Sequence, residues 1–94
     1  MIGKNVVVAT KSRPWILVHG TLVEKTEDRV TLTHARCVVY FSTPTHGFIG
    51  LAVTGPMVGS RVSSAVDQIE IGGIEFTMLA SAEASKAWEQ GEWL

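Results

Sequence analysis

Two stretches of the chain place apolar side chains at every second position, and this alternation constrains the fold more than any other feature. Residues 15–24 carry Ile16, Val18 and Leu22 at even positions with Gly20 between them, and residues 29–34 carry Val30 and Leu32. A period of two marks a β-strand with one face buried. The polar residues 25–28 separate the two runs. The runs therefore pair as antiparallel neighbours, with Leu22 near Leu32 and Ile16, Val18, Leu22, Val30 and Leu32 on one buried side. Gly20 fits a strong bend, where a sheet curls over its own core.

The rest of the chain extends this sheet. Residues 5–11 are β-branched and read as a first strand. Ser12-Arg13-Pro14 punctuates it, and Pro14 bars a central ladder there. Residues 37–41 read as a fourth strand. A curled meander of this size predicts a mainly β, α+β fold: a small curled antiparallel sheet or an SH3-like or Sm-like barrel. Residues 48–53 read either as a short helix or as a buried strand, and Gly47 and Gly50 weaken the helix. β structure returns over residues 66–78, where Gly72-Gly73 is either a hairpin turn or a bulge in one long strand. Residues 81–90 form one C-terminal helix. Ser81 is its N-cap, Glu83 lies in its first turn, Gly91 follows its end, and Ala84, Ala87 and Trp88 form an apolar stripe. The terminal Trp93-Leu94 pair is expected to dock on the sheet or on a neighbouring subunit. With no repeat or linker, residues 1–94 read as a single domain.

Composition narrows the function classes. The chain is 46% hydrophobic and 18% charged, with a formal charge of −1. That balance excludes a strongly basic nucleic-acid arm and an acidic disordered tail. No apolar run reaches the roughly 18 residues needed to span a bilayer, and the N-terminus lacks a secretory signal pattern. A single cysteine cannot form an internal disulfide. A cytoplasmic, globular protein is expected. Scarce charge in a domain this small, which buries only about two-thirds of its unfolded surface, points to a homo-oligomer that covers apolar surface with a second copy. The alternative is a monomer with a surface rich in Thr and Ser.

Candidate chemistry is sparse. The alternation puts His34 on the buried face and His19 on the opposite one, so they cannot share a metal, and no third ligand has suitable spacing. No metal or cofactor is expected. Cys37 reads as a small buried hydrophobe, and His46 as a solvated loop residue. Glu70 and Glu75 flank Gly72-Gly73 and could approach each other across a hairpin, as an acid/base pair requires. Gly59-Ser60-Arg61 can offer N–H groups, a hydroxyl and a guanidinium to one anion, although it lacks the Gly-Lys-Ser/Thr ending of a phosphate loop. Arg36 precedes Tyr40 and Phe41, and arginine beside aromatic rings suits a nucleotide: cation for phosphate, ring for base. Arg29 and Arg61 are expected to converge on the same rim.

Two groups of residues carry a resemblance. The first is Gly20-Thr21-Leu22, then residues 29–36 ending in Ala35-Arg36, then Val38-Val39-Tyr40-Phe41. The second is Ser60-Arg61-Val62-Ser63 with Val66, Ile69, Ile71 and Ile74-Glu75, followed by a helix and Trp93. Together they resemble a family of small uncharacterised tailed-phage and prophage proteins, in order and spacing over nearly the whole chain. The chain departs from that pattern at Cys37, where the family has a second arginine, at Val39 and Phe41, where it has tryptophans, and around Ser12-Arg13-Pro14. The resemblance implies a phage accessory protein, and by analogy an anti-defence sponge in the host cytoplasm. A second likeness, in Gly20-Thr21-Leu22, Val30-Thr31-Leu32 and Ser60-Arg61-Val62, is to Sm-like domains, whose rings bind RNA.

These readings combine into one expectation. The chain is a phage-encoded, non-enzymatic homo-oligomer that binds a nucleotide-type immune signal or a host defence protein, through Arg36, Tyr40, Phe41, Ser60 and Arg61. The alternative is an Sm-like module for nucleic acid or protein. A small hydrolase using Glu70/Glu75 or Cys37/His34 ranks last, because no constellation is complete.

Overall fold

The computed structural model describes residues 1–12 and 16–90. Arg13, Pro14, Gly91, Trp93 and Leu94, all singled out in the sequence, lie outside the described residues. The elements run β1 (Asn5–Thr10), β2 (Leu17–Lys25), β3 (Arg29–Tyr40), α1 (Gly47–Val53), β4 (Arg61–Val62), β5 (Val66–Gly72), β6 (Ile74–Leu79) and α2 (Ala82–Gln90). A single 3-10 turn, Thr43–Thr45, precedes α1. All strand pairs are antiparallel, in the order β4-β3-β2-β1-β6, with β5 beside the first half of β3.

β5 pairs with β3 and β6 pairs with β1. The two are not a hairpin. Gly72-Gly73 is a bend in one long extended segment that crosses from the edge of β3 to the edge of β1 and ties the two sides of the curled sheet together. The sheet therefore has an inside, filled by Val6, Val8, Val18, Leu22, Val30, Leu32 and Ala35 with Cys37, Ile69, Ile71 and Ile74 against them. Leu22 faces Leu32, as the alternation requires. Ile16 departs from the expected buried placement: it precedes β2 and is 48% exposed. Gly20 sits at a close approach of β2 to β3, where a Cβ would lie 3.0 Å from both Leu32 Cβ and Thr33 O.

Residues 29–41 are not two strands. β3 runs unbroken to Tyr40 because a bulge at His34, whose φ is +50°, absorbs one extra residue opposite Gly20. The bulge reverses the parity of everything after it. His34 is exposed, Ala35 and Cys37 turn inward, and Arg36 faces the outer side beside its cross-strand partner His19. The expected placement of the two histidines on opposite faces is thereby corrected.

The outer face holds a second core. Val7, Ala9, Leu17 and Val62 meet Leu51 and Ala52 of α1 and Trp88 of α2. The open reading of residues 48–53 resolves as a helix. Gly50 lets it form there: a Cβ would lie 1.5 Å from the carbonyl oxygen of Thr45. Ser81 caps α2 by accepting from Ala84 N–H at 2.9 Å, and donates to Val53 O of α1 at 2.7 Å. Ala84 and Trp88 are the buried part of the predicted stripe.

An ordinary Gly→Ala change inside a helix adds up to about 1 kcal/mol of stability. Gly50→Ala is expected to do the reverse and lower the unfolding free energy by more than the about 1–3 kcal/mol usual for overpacking. Urea unfolding followed by circular dichroism measures it.

Candidate functional site

The five candidate residues fall into four environments. Arg36, on the outer face of β3, reaches the last turn of α2. Its guanidinium donates to Trp88 O at 2.7 Å and Glu89 O at 3.1 Å. Those carbonyls have no partner inside the helix, and a cation there also meets the negative end of the helix dipole. Arg36 thus fastens α2 to the sheet.

Phe41 is half-buried and packs into the outer core. Ser60 closes the loop that leads back to β4. Its Oγ accepts from Ser42 N–H at 2.9 Å, and its N–H donates to Met57 O at 3.0 Å. Ser42 Oγ donates to Met57 O at 3.3 Å, and Thr45 Oγ1 accepts from Met57 N–H at 3.0 Å. The hydroxyls of Ser42, Thr45 and Ser60 lie within 3.5 Å of one another. Ser60 therefore shapes the loop, with its hydroxyl and its N–H both engaged inside it.

Tyr40 and Arg61 are what remains. They oppose each other directly across β3 and β4, and both are exposed. Among the described residues, Arg61 has no carboxylate or carbonyl partner, and the Tyr40 ring stacks on nothing. Arg29 does not converge with them: it pairs with Glu70 near the far end of β3, with Nε 3.0 Å from Oε1. The same pair holds Glu70, and with no hairpin at Gly72-Gly73 the expected Glu70/Glu75 approach has no structural basis. A groove of 420 Å³ lies beside that bend, lined by Ile16, Val18, Ile69 and Ile71, and contains neither Tyr40 nor Arg61.

Sequence reasoning missed a buried polar cluster under α2. His19 is 4% exposed, stacks on Trp88 at 5.2 Å and 11°, and shares a 3.1 Å hydrogen bond between Nε2 and Ser85 Oγ. The Trp88 indole N–H donates to Leu51 O at 2.9 Å. His34 Nε2 stands 3.6 Å from Glu89 Oε1 beside this cluster. The signal lay in the i, i+3 spacing of Ser85 and Trp88 and in an odd-numbered histidine, but only the packing of α2 on the outer face of the sheet brings the three together.

Burial, with the charge of His34 second, lowers the His19 pKa from 6.5 to about 4. Burial raises the Cys37 thiol, partly offset by a hydrogen bond with the Leu17 backbone, so Cys37 stays a neutral hydrophobe against the inner core. Among the described residues, no three His, Cys, Asp or Glu side chains gather as metal ligands.

With the geometry in place, comparison with known proteins gives one result. Residues 3–88 match a family described as a domain of unknown function, DUF6948. The chain belongs to the DUF6948 family. No curated protein and no solved structure matches it. The DUF6948 match covers β1 through most of α2, so the family unit includes both the curled sheet and the helix that covers its outer face. No helix among the described residues is long and apolar enough to cross a membrane.

The His19 environment predicts a pH dependence. The unfolded chain binds a proton at this residue near pH 6.5, the folded chain only near pH 4. Stability is therefore lost as pH falls through that window, by about 3 kcal/mol, and the loss levels off below it. In His19→Gln, the difference in unfolding free energy between pH 7 and pH 4 should shrink by about that amount.

Proposed function

We propose that this chain is a non-enzymatic, homo-oligomeric binding protein that holds a nucleotide-type ligand at the Tyr40–Arg61 edge and leaves it chemically unchanged. One observation carries the reading. Once the helix fastening, the loop closure and the core contacts are assigned, an exposed ring and an exposed guanidinium remain, opposed on neighbouring strands. Directly opposed residues on neighbouring strands have Cβ atoms about 5 Å apart, so one small ligand can touch both side chains. The Tyr40 ring stacks on a base, and Arg61 offers paired donors to phosphate.

Sequestration rather than turnover is supported by the state of the reactive groups. His19 lies beneath Trp88, the Cys37 thiol is held neutral, and Glu70 accepts from Arg29. The phage setting follows from the whole-chain resemblance. In that setting the ligand is an immune signal, a cyclic nucleotide or an ADP-ribose derivative, removed from solution in the host cytoplasm.

Native mass spectrometry and calorimetry with a cyclic mononucleotide, a cyclic dinucleotide and ADP-ribose test this. One of them is expected to bind and to be recovered intact. Tyr40→Ala and Arg61→Ala should each weaken it about tenfold or more, equal to about 1.4 kcal/mol. Arg36→Ala should lower the melting temperature and leave the affinity of the folded protein unchanged. No bound ligand, or equal affinity in Arg61→Ala, contradicts the assignment.

A further inference from the structure

The segment between Arg36 and Arg61 contains no Asp, Glu, Lys or Arg. It includes the end of β3, the 3-10 turn, α1 and the loop into β4. Within it Val58 is 92% exposed. That exposure does not belong to a loose tip. The residue before Val58 is held by three hydrogen bonds, two through its carbonyl (Ser42 Oγ, Ser60 N–H) and one through its N–H (Thr45 Oγ1). Val58 is a fixed apolar knob in water, and surface of this kind marks an interaction site when a complementary surface adjoins it.

Such a surface adjoins it. Beside the knob is a groove of 240 Å³ between the 56–60 loop and α2, whose other walls include Pro56, Met57, Ser60, Val62, Ala87 and Gln90. None of these side chains is charged.

We propose that this knob and groove form a two-fold interface between two copies of the chain, each inserting Val58 into the groove of the other. Three points select a second copy over a foreign partner. A knob and a groove on one face are what a two-fold contact needs, since the same patch then supplies both halves. The groove walls themselves carry no charge, so they meet their own copy with no like-charge penalty between them, whereas an acidic or basic partner finds no counter-charge there. The hydrogen bonds around Met57 fix the knob in advance, so little ordering entropy opposes docking. The proposal gives a surface to the homo-oligomer in the functional reading above and does not depend on the nucleotide site.

Sedimentation equilibrium of the full chain at high micromolar concentration tests it, with circular dichroism to verify the fold. The wild type is expected to be dimeric. Val58→Glu should be monomeric, and Val58→Ala should raise the dimer dissociation constant about tenfold or more, since truncation removes the buried methyl groups. Val23→Glu, at an exposed apolar position on β2, should stay dimeric. Should Val58→Glu fail to fold, Val58→Ala decides. A monomeric wild type overturns the proposal and leaves the groove to residues 91–94 or to a foreign partner. So does a Val58→Ala dimer as tight as the wild type. A Val58→Glu monomer that binds no nucleotide while the wild-type dimer does would tie the two sites together. A dimer that binds no nucleotide would leave the interface standing and remove the functional reading.

Discussion

Val6, Val7, Val8 and Ala9 run through the middle of the molecule with no exposure on either side of the sheet. A strand buried on both faces needs two separate covers, and the remainder of the structure supplies them. The inner cover is the sheet itself, curled until the bend at Gly72-Gly73 joins its two sides. The outer cover is the pair of helices, with Trp88 fully buried against Val7, Ala9 and Leu17. A helix as short as α2 is marginal alone in water, so its position has to come from tertiary contacts. Those contacts are polar as well as apolar. Arg36 holds its last carbonyls, Ser81 ties its start to α1, and the Trp88 indole and His19 ring each find a partner inside the core. Buried polar groups satisfied in this way fix one position for the helix, where apolar packing alone would tolerate several.

The inner half of this architecture was legible in the sequence. Val18, Leu22, Val30 and Leu32 share a face because alternation reports directly on burial, and the Gly20 bend follows from the same pattern. The outer half was hidden for two reasons. A continuous apolar run such as residues 6–9 announces burial on both faces but does not say what the second cover is. The bulge at His34 then shifts the alternation by one, so counting residues from Val30 places His34 inward and misplaces every side chain up to Tyr40. No residue type in Thr33-His34-Ala35 signals that shift.

The same limit applies to the site. Sequence reasoning grouped residues by chemical type, and chemical type does not separate an arginine engaged within the fold from one left exposed. Arg29 is held by a carboxylate on the neighbouring strand, and Arg36 by the end of a helix. Among the described residues, Arg61 has neither arrangement. The difference lies in what each strand faces: β3 passes beneath α2 at Arg36, and β4 is a two-residue edge strand. A hydroxyl such as Ser60 is reassigned by the same reasoning, because a loop that must close without charged residues satisfies its backbone with side-chain oxygens.

The central claim is that the helix layer and the curled sheet form one cooperative unit through Trp88. Hydrogen exchange of the Trp88 indole N–H, read beside the amides of Val6 to Ala9 at neutral pH, tests it most directly. The account predicts the same opening free energy for the indole and for β1, because exposing the indole removes one of the two covers of that strand. An indole that exchanges far faster than a still-protected β1 would show a helix merely resting on a self-sufficient sheet, and would contradict the account.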